Sequence, residues 1–520
     1  MRCMKVHVSK SEQMVNVLSF VQLLQRQAET LVWFLPLLLS LFIILFLRLH
    51  RVPSKKLNLP PSPPKLPFIG NLHQLGTLVH RSFRDLSKKY GPIMLLHLGH
   101  APILVVSSPD IAHEILKTQD VKFANRPFTT TAKALMYGCT TISFAPYNEY
   151  YSQIKKISVQ ELLSMSRVQS FRYVREEEVD LMIEEIHRSS RLQVSVNLTE
   201  MLVNFANKFI CRCALGDKID TDGPKKLAHL AREASILLGA FSFEDLYPSL
   251  GWMDVITGLH GRLKRVSKDL DNYLEQVIEE HISSVKHDVD KMDFLDVLLK
   301  IQIDNKLSRE NIKAIILDMF FAGTETVSTV IEWAMVELIR NPSAMMKAQE
   351  EVRRVVGRKS KVHDEDIPQM EYLKWVVKET LRLHVSAPFL IPRVSYTDTD
   401  VKGYHIPANT KVFVNVWAIH TDPEIWEDAE EFIPERFSRS TFDFKGQDYE
   451  FLPFGAGRRR CPGLSFGLAL TEFVFANLLF SFDWELPGGA KIEELDMTEC
   501  FGITVCKKEH FHLVPIPRFS

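Results

Sequence analysis

Seventeen consecutive residues without a charge, Leu31 to Leu47, constrain this chain more than any other feature. As a helix they would extend about 26 Å, close to the roughly 27 Å hydrocarbon core of the endoplasmic reticulum membrane. Only Arg26 lies within about 20 residues before the segment, but five basic residues follow it closely: Arg48, Arg51, Lys55, Lys56 and Lys65. The positive-inside rule therefore predicts a single-pass signal-anchor in the endoplasmic reticulum membrane, with the rest of the chain facing the cytosol.

A proline-rich stretch follows the apolar segment, with five prolines between Pro60 and Pro67. Proline disfavours helix and favours extended backbone, so this stretch predicts a stiff spacer. The sequence contains no second linker of this kind after it. We therefore expect a lumenal segment at residues 1–30, a transmembrane signal-anchor at 31–47, a basic and proline-rich hinge at 48–70 and one folded domain at 71–520.

Helical periodicity dominates the domain that follows the hinge. The longest helical stretch, Ser308 to Arg340, starts at a good N-cap residue, contains no proline and stops at Asn341-Pro342. Its length of about 50 Å is enough to cross the whole domain. Shorter helices are predicted at Val159–Met165, Glu176–His187, Leu198–Cys213, Asp269–Lys286 and Asp293–Ile303. Since the clearest strand pair is Ile93–Leu98 with Ile103–Val106, we expect a mainly α fold with a small β portion.

The charge and cysteine content exclude several classes of protein. The chain has 63 Lys and Arg against 64 Asp and Glu, so it lacks the basic excess with which proteins bind nucleic acid. Seven cysteines scattered over 520 residues do not form the disulfide framework of a small secreted protein, and we expect reduced thiols in the cytosol. The 18 histidines include no H-E-x-x-H pair, so no separate metal site is predicted.

One loop has the composition of a metal-ligand site. Residues 454–463 read FGAGRRRCPG, and an apolar helical run, Leu464 to Phe480, follows directly. The helix N-terminus and Arg458, Arg459 and Arg460 are expected to favour the thiolate of Cys461. Zinc fits poorly, because no second Cys or His lies nearby at ligand spacing. A single thiolate suits a cofactor that supplies the other metal ligands itself, as haem does.

The same loop resembles the signature of the cytochromes P450, which are haem-thiolate monooxygenases. That signature, F-x-x-G-x-R-x-C-x-G, is matched at every fixed position, and the resemblance extends over nearly the whole chain, from the anchor to Pro517. It implies the cytochrome P450 fold, preceded by one transmembrane helix, and a haem b whose axial ligand is the Cys461 thiolate. It also implies cofactor-binding roles for four residues of this chain: Arg393, Phe454, Gly455 and Arg459.

Two further segments fit this family. Glu379-Thr-Leu-Arg382 and the later Pro434-Glu-Arg436-Phe resemble the segments that form a buried ionic triad, which implies a role in folding. Ala322-Gly-Thr-Glu325-Thr326, within the long helix, resembles the stretch that lies over the iron. By this resemblance Thr326 is a catalytic residue that hydrogen-bonds dioxygen, and Glu325 relays protons to it through water. Gly323 and the threonines also lower helix propensity, and a Thr hydroxyl can bond back to the preceding turn, so we expect a weak point there.

One segment departs from the pattern of plant microsomal relatives. Where those proteins carry W-R-x-x-[RK], this chain has Tyr151-Ser152-Gln-Ile-Lys155. Lys155 remains a cofactor-binding candidate, since it keeps the charge but loses the bidentate geometry of arginine. Tyr151 offers an O–H where the family has an indole N–H. We therefore expect weaker retention of haem.

Substrate and partners follow from the resemblance only in outline. The matching substrate segments are mainly apolar and point to five pocket residues: Phe144, Phe320, Ala322, Phe389 and Ile503. Such a pocket suits a small plant specialised metabolite, a terpenoid or a phenylpropanoid or coumarin-like molecule. Electrons are expected from NADPH through an NADPH-cytochrome reductase, with a cytochrome b-type protein as a second donor. The expected partners are thus O2, an apolar substrate, the reductase and the membrane, and not nucleic acid.

Two alternatives stay open at this stage. A haem-thiolate isomerase or dehydratase would rearrange an oxygenated substrate or an oxime without dioxygen, and would not need Glu325 or Thr326. A non-catalytic binding or scaffolding protein is suggested by the altered residues Tyr151 and Ser152.

Overall fold

The computed structural model describes residues 34–46, 57–216, 223–283, 292–304 and 307–518. Contacts divide the chain into two units, Met1–Asn58 and Leu59–Ser520. In the first unit, helix α1, Phe34–Phe46, is apolar and exposed along its length. The predicted lumenal segment, the first three residues of the predicted anchor and residues 47–56 lie outside the described residues. The bounds of the four predicted segments therefore remain predictions.

Helices make up most of the second unit. Helices α2 to α9 span Val79–Tyr90, Pro109–His113, Thr130–Leu135, Glu149–Ile157, Met165–Ser170, Arg172–Arg191, Leu198–Leu215 and Gly223–Leu238. Helices α10 to α18 span Phe243–Leu246, Met253–Ile256, Leu259–Ser283, Phe294–Ile303, Arg309–Arg340, Pro342–Val356, Glu371–Leu383, Val416–His420 and Leu464–Ser481.

In the described part of the chain, short strands form four small sheets. Strands β1 to β6 span Ile93–Leu98, Ala101–Val106, Val196–Asn197, Arg393–Val394, Thr399–Val401 and Tyr404–Ile406. Strands β7 to β11 span Lys411–Val414, Phe482–Glu485, Glu499–Cys500, Cys506–Lys507 and His512–Pro517. The largest sheet has the order β1-β2-β7-β4, a second has β3-β11-β8, and β5-β6 and β9-β10 are two-stranded. A mainly α fold with a small β portion is thus confirmed.

The centre of this unit is α14, Arg309–Arg340. Ser308 caps it in a reciprocal capping box with Asn311, and it ends at Asn341, as the sequence predicts. It packs against α8, α16 and α18. Among the described helices, α14 and α18 are long and apolar enough to cross a membrane, but 67% and 61% of their apolar windows are buried inside the unit. Both are therefore core helices of the fold.

Several predicted elements have other bounds in the structure, and three of them differ most. Strand β2 begins at Ala101, which leaves a two-residue turn after β1. The predicted helix at Val159–Met165 is instead a π-type turn at Ser158–Leu162, followed by α6. The reason is local, since the Ser164 hydroxyl accepts a hydrogen bond from Arg167 N and starts a new helix. Helix α12 begins at Leu259, earlier than predicted, and its predicted last residues, 284–286, lie outside the described residues.

Gly323 allows α14 to approach α8 closely. A Cβ atom at Gly323 would lie 2.6 Å from Ile210 Cδ1 and 2.9 Å from Ile210 Cγ1. The close packing of the two helices, more than a local break, explains the glycine here. Helix α14 is continuous through this point.

We therefore expect Gly323→Ala to lower the free energy of unfolding by about 1 kcal/mol, because overpacking of about 1–3 kcal/mol exceeds the gain of about 1 kcal/mol in helix propensity. Ile210→Val removes the contacting Cδ1 and should restore part of this loss in a double-mutant cycle measured by urea unfolding. Gly261→Ala in α12 is the matched control, since a Cβ there meets nothing within 4 Å. It should stabilise the protein, and an equal loss at both positions would contradict the packing argument.

Candidate active site

Cys461 lies in a tight loop directly before α18. Its N–H donates to the Phe454 carbonyl at 3.0 Å, and Gly463 is the N-cap of the helix. The loop needs glycine at Gly457, where φ is +69° and a Cβ would lie 2.1 Å from the carbonyl oxygen of Leu116. The backbone thus holds one thiol at a helix N-terminus, as the sequence predicts.

The surroundings of Cys461 act on its thiol in opposite directions. Burial raises the pKa of Cys461, while the Gly463 N–H that donates to the sulfur and the cations Lys155 and Arg460 lower it. Desolvation is the largest of these effects, so the thiol by itself favours the neutral form. A metal cation at the sulfur reverses this preference, because a coordinated thiol is deprotonated. Cys461 also keeps part of its surface accessible.

Two of the three arginines in the loop do not act as expected. Arg458 donates from Nε to the Tyr147 hydroxyl at 2.8 Å and lies 3.5 Å from Asp120. The guanidinium of Arg459 instead donates to backbone carbonyls, those of Ala124, Ile142 and Ala145. The expectation that both favour the Cys461 thiolate is therefore wrong, because their charges are directed to other partners.

Four buried or half-buried cations converge beside this loop: Arg126, Lys155, Arg393 and Arg459. Burial, followed by repulsion from Arg459 and Arg393, holds the pKa of Arg126 well below its ordinary range. Burial also lowers the pKa of Arg459 to about 10 and that of Lys155 to about 8. Like charges in a desolvated space are unfavourable unless anions join them.

Asp120 is one such anion, since its Oδ1 accepts from Arg393 Nη1 at 2.6 Å. Among the ion pairs of the described residues, Asp120 is the one carboxylate paired with these cations, and one carboxylate does not balance four cations. The two propionates of a haem are anions of the kind that this cluster lacks. The donor set therefore fits haem: Cys461 would hold the iron and these cations would hold the propionates.

The sequence alone does not identify Arg126 as a member of this cluster. It donates to the Ser143 carbonyl at 3.0 Å and to the carbonyls of Ile391 and Pro392. In the sequence it stands alone before Pro127. Only the fold brings it to Arg393 and Arg459, so local sequence patterns carry no signal for it.

Tyr151, the residue that departs from the family pattern, supports Arg459. The Arg459 guanidinium lies 3.7 Å from the centre of the Tyr151 ring, and the Tyr151 hydroxyl donates to the Arg458 carbonyl at 2.9 Å. Lys155 Nζ donates to the same carbonyl. The tyrosine therefore orients the arginine by a cation–π contact.

Thr326 marks the second side of the site. Its hydroxyl donates to the Ala322 carbonyl at 2.5 Å, the backward bond that the sequence predicts. Residues 312–320 and 327–339 of α14 are buried, whereas 321–326 are partly or fully exposed. Thr326 therefore lies in an accessible stretch that interrupts the buried length of the helix.

Packing relates this stretch to the cysteine loop. Helix α14 packs on α18, and a Cβ at Gly467 would lie 3.9 Å from Val327 Cγ2. Val327 follows Thr326 directly, and Gly467 is in the second turn after Cys461. The structure thus brings the predicted oxygen-side and thiolate-side segments together.

Glu325 has different partners from Thr326. Its carboxylate hydrogen-bonds Ser235 and lies near Arg232, both on α9. Burial raises the pKa of Glu325, and these two partners only partly oppose the shift. The carboxyl is therefore a group that can hold a proton between α14 and α9.

The remaining cofactor candidates lie in the loop itself. The Phe454 carbonyl accepts from Cys461, and its ring is 5.9 Å from that of Phe444, edge to face. Gly455 has φ +66°, and a Cβ there would lie 3.2 Å from Leu390 Cδ1. Both residues shape the backbone that carries the cysteine.

The five predicted pocket residues have different environments. Ala322 is exposed at the internal stretch, Phe144 packs partly buried on the main core, and Ile503 is 40% exposed. Phe320 is only 1% exposed, and Phe389 is 7% exposed within an aromatic cluster. The structure thus places Phe320 and Phe389 in hydrophobic cores, and their role as pocket walls remains a prediction.

Comparisons with known proteins agree with this geometry. The family model for cytochrome P450 matches residues 60–514. The chain is 52% identical to desmethylyatein synthase of Sinopodophyllum hexandrum over 487 residues, which cover 93% of this chain and 98% of that protein. It is 45% identical to psoralen synthase of Ammi majus over 503 residues, covering 96% and 100%. A solved zebra fish cytochrome P450 structure with progesterone has a TM-score of 0.73 at 26% identity, covering 84% of this chain and 99% of that one.

Proposed function

Because the chain belongs to the cytochrome P450 family, we propose that Cys461 is the axial ligand of its haem and that the α14 turn at Thr326 handles oxygen and protons. The chain is an oxidoreductase, a haem-thiolate monooxygenase of plant specialised metabolism, as its named relatives are. It uses O2, a substrate and electrons that reach it from NADPH through a redox partner. The assignment of roles to individual residues is the step proposed here.

The observation that carries this proposal is the excess of buried positive charge beside a lone thiol. Arg126, Arg393 and Arg459 are each less than 10% exposed, and Asp120 pairs with only one of them directly. Haem binding would add two carboxylates and a metal cation, which satisfies both the arginines and the thiol. We propose that these arginines and Lys155 hold the propionates. When bound, haem supplies the oxygen-activating chemistry for which a thiolate ligand favours O–O cleavage.

Thr326 and Glu325 are proposed to divide the work of proton delivery. The Thr326 hydroxyl donates a hydrogen bond to its own helix, so its oxygen can accept a hydrogen bond from water. By rotation the same hydroxyl can donate a hydrogen bond to dioxygen. Glu325, whose pKa burial raises, would take up a proton on the α9 side and pass it through water to Thr326. This arrangement separates proton entry from the place where oxygen is held.

The substrate is proposed to be a small apolar plant metabolite. The exposed Ala322 and Ile503 and the part-buried Phe144 offer apolar surface, which selects by shape and excludes water. Two relatives are named desmethylyatein synthase and psoralen synthase, so we propose to test phenylpropanoid or coumarin-like molecules first. Terpenoids are the second class to test.

The N-terminal unit supports a proposal for the cellular location of the enzyme. Helix α1 is apolar and fully exposed, as expected of a membrane anchor whose flanking charges place the catalytic domain, residues 71–520, in the cytosol. We propose the endoplasmic reticulum membrane as its location and NADPH-cytochrome reductase as its electron donor, with a cytochrome b-type protein as a second one.

Thr326→Ala tests the proposed division of roles. We expect the ratio of product formed to NADPH consumed to fall at least about tenfold, because general acid groups contribute about 10²–10⁴-fold to proton-transfer steps. NADPH should still be consumed, and its electrons should reduce dioxygen to hydrogen peroxide instead of forming product. The measurement needs the reconstituted enzyme, its reductase and an apolar substrate found by spectral screening.

Ser328→Ala is the matched control, since this hydroxyl on the same helix donates to the Thr324 and Glu325 carbonyls and should not affect coupling. Undiminished product formation in Thr326→Ala would instead favour a reaction without dioxygen, such as isomerisation or dehydration. The comparisons give no support to that alternative or to a scaffolding role.

A further inference from the structure

The β9-β10 hairpin carries two cysteines that the proposed reaction does not use. Cys500 on β9 stands directly opposite Cys506 on β10 in an antiparallel pair. The next pair is Glu499 with Lys507, and two pairs away from the cysteines Lys508 N donates to the Thr498 carbonyl at 2.9 Å. Hydrogen-bonded and non-hydrogen-bonded pairs alternate, so Cys500 and Cys506 are a hydrogen-bonded pair, for which the Cα atoms lie about 5.5 Å apart.

This Cα separation is within the range of roughly 4.4–6.8 Å found in disulfides, and residues directly opposite each other point to the same face of the hairpin. The Cβ atoms of such a pair lie about 5 Å apart and must approach to roughly 3.5–4.5 Å for the bond to form. Both cysteines are free thiols; Cys500 is exposed and Cys506 half-buried. We propose that Cys500 and Cys506 are a modification site, a cross-strand thiol pair that hydrogen peroxide converts into a disulfide.

Contacts on both strands hold this register in place. On β9, Glu499 accepts from Arg81 Nε at 3.0 Å and lies 3.3 Å from His80 Nε2. On β10, the buried Lys507 donates from Nζ to the Glu509 carbonyl at 3.0 Å. Strand β9 is therefore fixed from outside the hairpin, by Arg81 and His80 of α2, while the Lys507 contact on β10 is local.

The exposures of the two thiols set the order of the chemistry. The Cys500 thiolate attacks one oxygen of the peroxide, the O–O bond breaks, and a sulfenic acid and one water form. The Cys506 sulfur then attacks the sulfenic sulfur, and the S–S bond forms as a second water leaves. Two thiols and one peroxide thus give one disulfide and two waters.

The surroundings of Cys506 keep it from reacting first. Burial, then the charges of Cys500, Glu325 and Glu332, raises the pKa of Cys506 to about 12. This thiol therefore does not compete for peroxide. In the cytosol, where thiols are kept reduced, such a pair is open at rest and closes under oxidation, which makes the change reversible.

The position of the hairpin connects it to the candidate site, and this part of the inference rests on the proposed function. Val505 N donates to the Ser386 carbonyl at 2.8 Å, and the Ser386 hydroxyl donates to the Thr326 carbonyl at 3.4 Å. The five residues between the cysteines include Ile503, a proposed pocket residue. A disulfide would fix this loop and prevent it from adapting to a bulky ligand.

Peptide mapping of the full-length, haem-loaded protein in membranes tests the disulfide. Trypsin cuts after Lys491 and Lys507, so residues 492–507 form one peptide that contains both cysteines and no other. After hydrogen peroxide, this peptide should be lighter by two hydrogen atoms and resist iodoacetamide, and it should take up two alkyl groups after reduction. Cys500→Ser and Cys506→Ser should each abolish the lighter form. A peptide that stays fully alkylated, or that gains only oxygen atoms, would overturn the proposal.

A ligand titration tests the effect on the site. We expect the disulfide to raise the Kd of 1-phenylimidazole about threefold, since one more side chain can no longer adapt. The Kd of imidazole, which is too small to reach the loop, should not change. Reductant should reverse the effect, and Cys500→Ser should lack it. Equal Kd values for the oxidised and reduced protein would refute the coupling, while a carbon monoxide difference spectrum of the same samples reports separately whether the proposed haem site is intact.

Discussion

Replacing Cys461 by serine is expected to abolish monooxygenation, to below about 1% of the unmodified enzyme, and to remove the thiolate-type Soret band from the carbon monoxide difference spectrum. A serine hydroxyl has nearly the size of the thiol, and the bond from Cys461 N to the Phe454 carbonyl does not depend on the side chain. The loop should therefore keep its shape while the ligand is lost.

Cys500→Ser is the control for this experiment. Cys500 is an exposed thiol on β9, so its replacement tests whether the loss of any cysteine changes the spectrum. We expect an unchanged band in the control and thermal unfolding within a few degrees of the parent protein for both variants. A Cys461→Ser protein that keeps the thiolate band would disprove the assignment of the ligand.

The sequence predicts the long elements and the loop that carries Cys461 well. Helix α14 begins after Ser308 and ends before Pro342, as its cap and its proline stop indicate, and α18 follows the cysteine loop as its apolar run indicates. In these elements local signals and tertiary packing favour the same structure. The mainly α fold class is confirmed for this reason.

What the sequence cannot show is convergence of distant residues. Arg126, Arg393 and Arg459 come from three separate segments, and only folding places them in one desolvated cluster. The sequence also does not show the direction in which a side chain points. Arg458, Arg459 and Arg460 therefore look equivalent in the sequence, although among the three only Arg460 acts on the thiol of Cys461. The cost of burying that thiol also depends on tertiary structure and reverses the expected direction of its pKa shift.

Glu379 connects the fold to the cysteine loop through a second buried charge network. Its carboxylate accepts from Arg382 Nη2 at 2.8 Å and from Arg436 Nε at 2.9 Å, and Glu379 and Arg382 are 0% exposed. Arg382 also donates to the carbonyl of His420, whose Nε2 accepts from Leu452 N. Leu452 is two residues before Phe454, so the network positions the start of the loop that holds Cys461.

We expect Glu379→Ala to lower the free energy of unfolding by about 3–5 kcal/mol, since it leaves the buried Arg382 and the half-buried Arg436 without their shared anion. A protein of ordinary stability, about 5–15 kcal/mol, would lose much of its folded population and its haem. Urea unfolding and the haem content per protein measure both effects. Glu379→Gln keeps an acceptor and should lose less.

Glu350→Ala on α15 is the control, because this glutamate is exposed and its loss should change stability by no more than about 0.5 kcal/mol. If Glu379→Ala were equally mild, the buried ionic network would not stabilise the fold. If it lost haem without losing stability, the network would serve the cofactor alone. We expect a joint loss, in which the haem content falls in proportion to the folded fraction. This result follows if the network supports the loop by holding the segment between His420 and Leu452 in place.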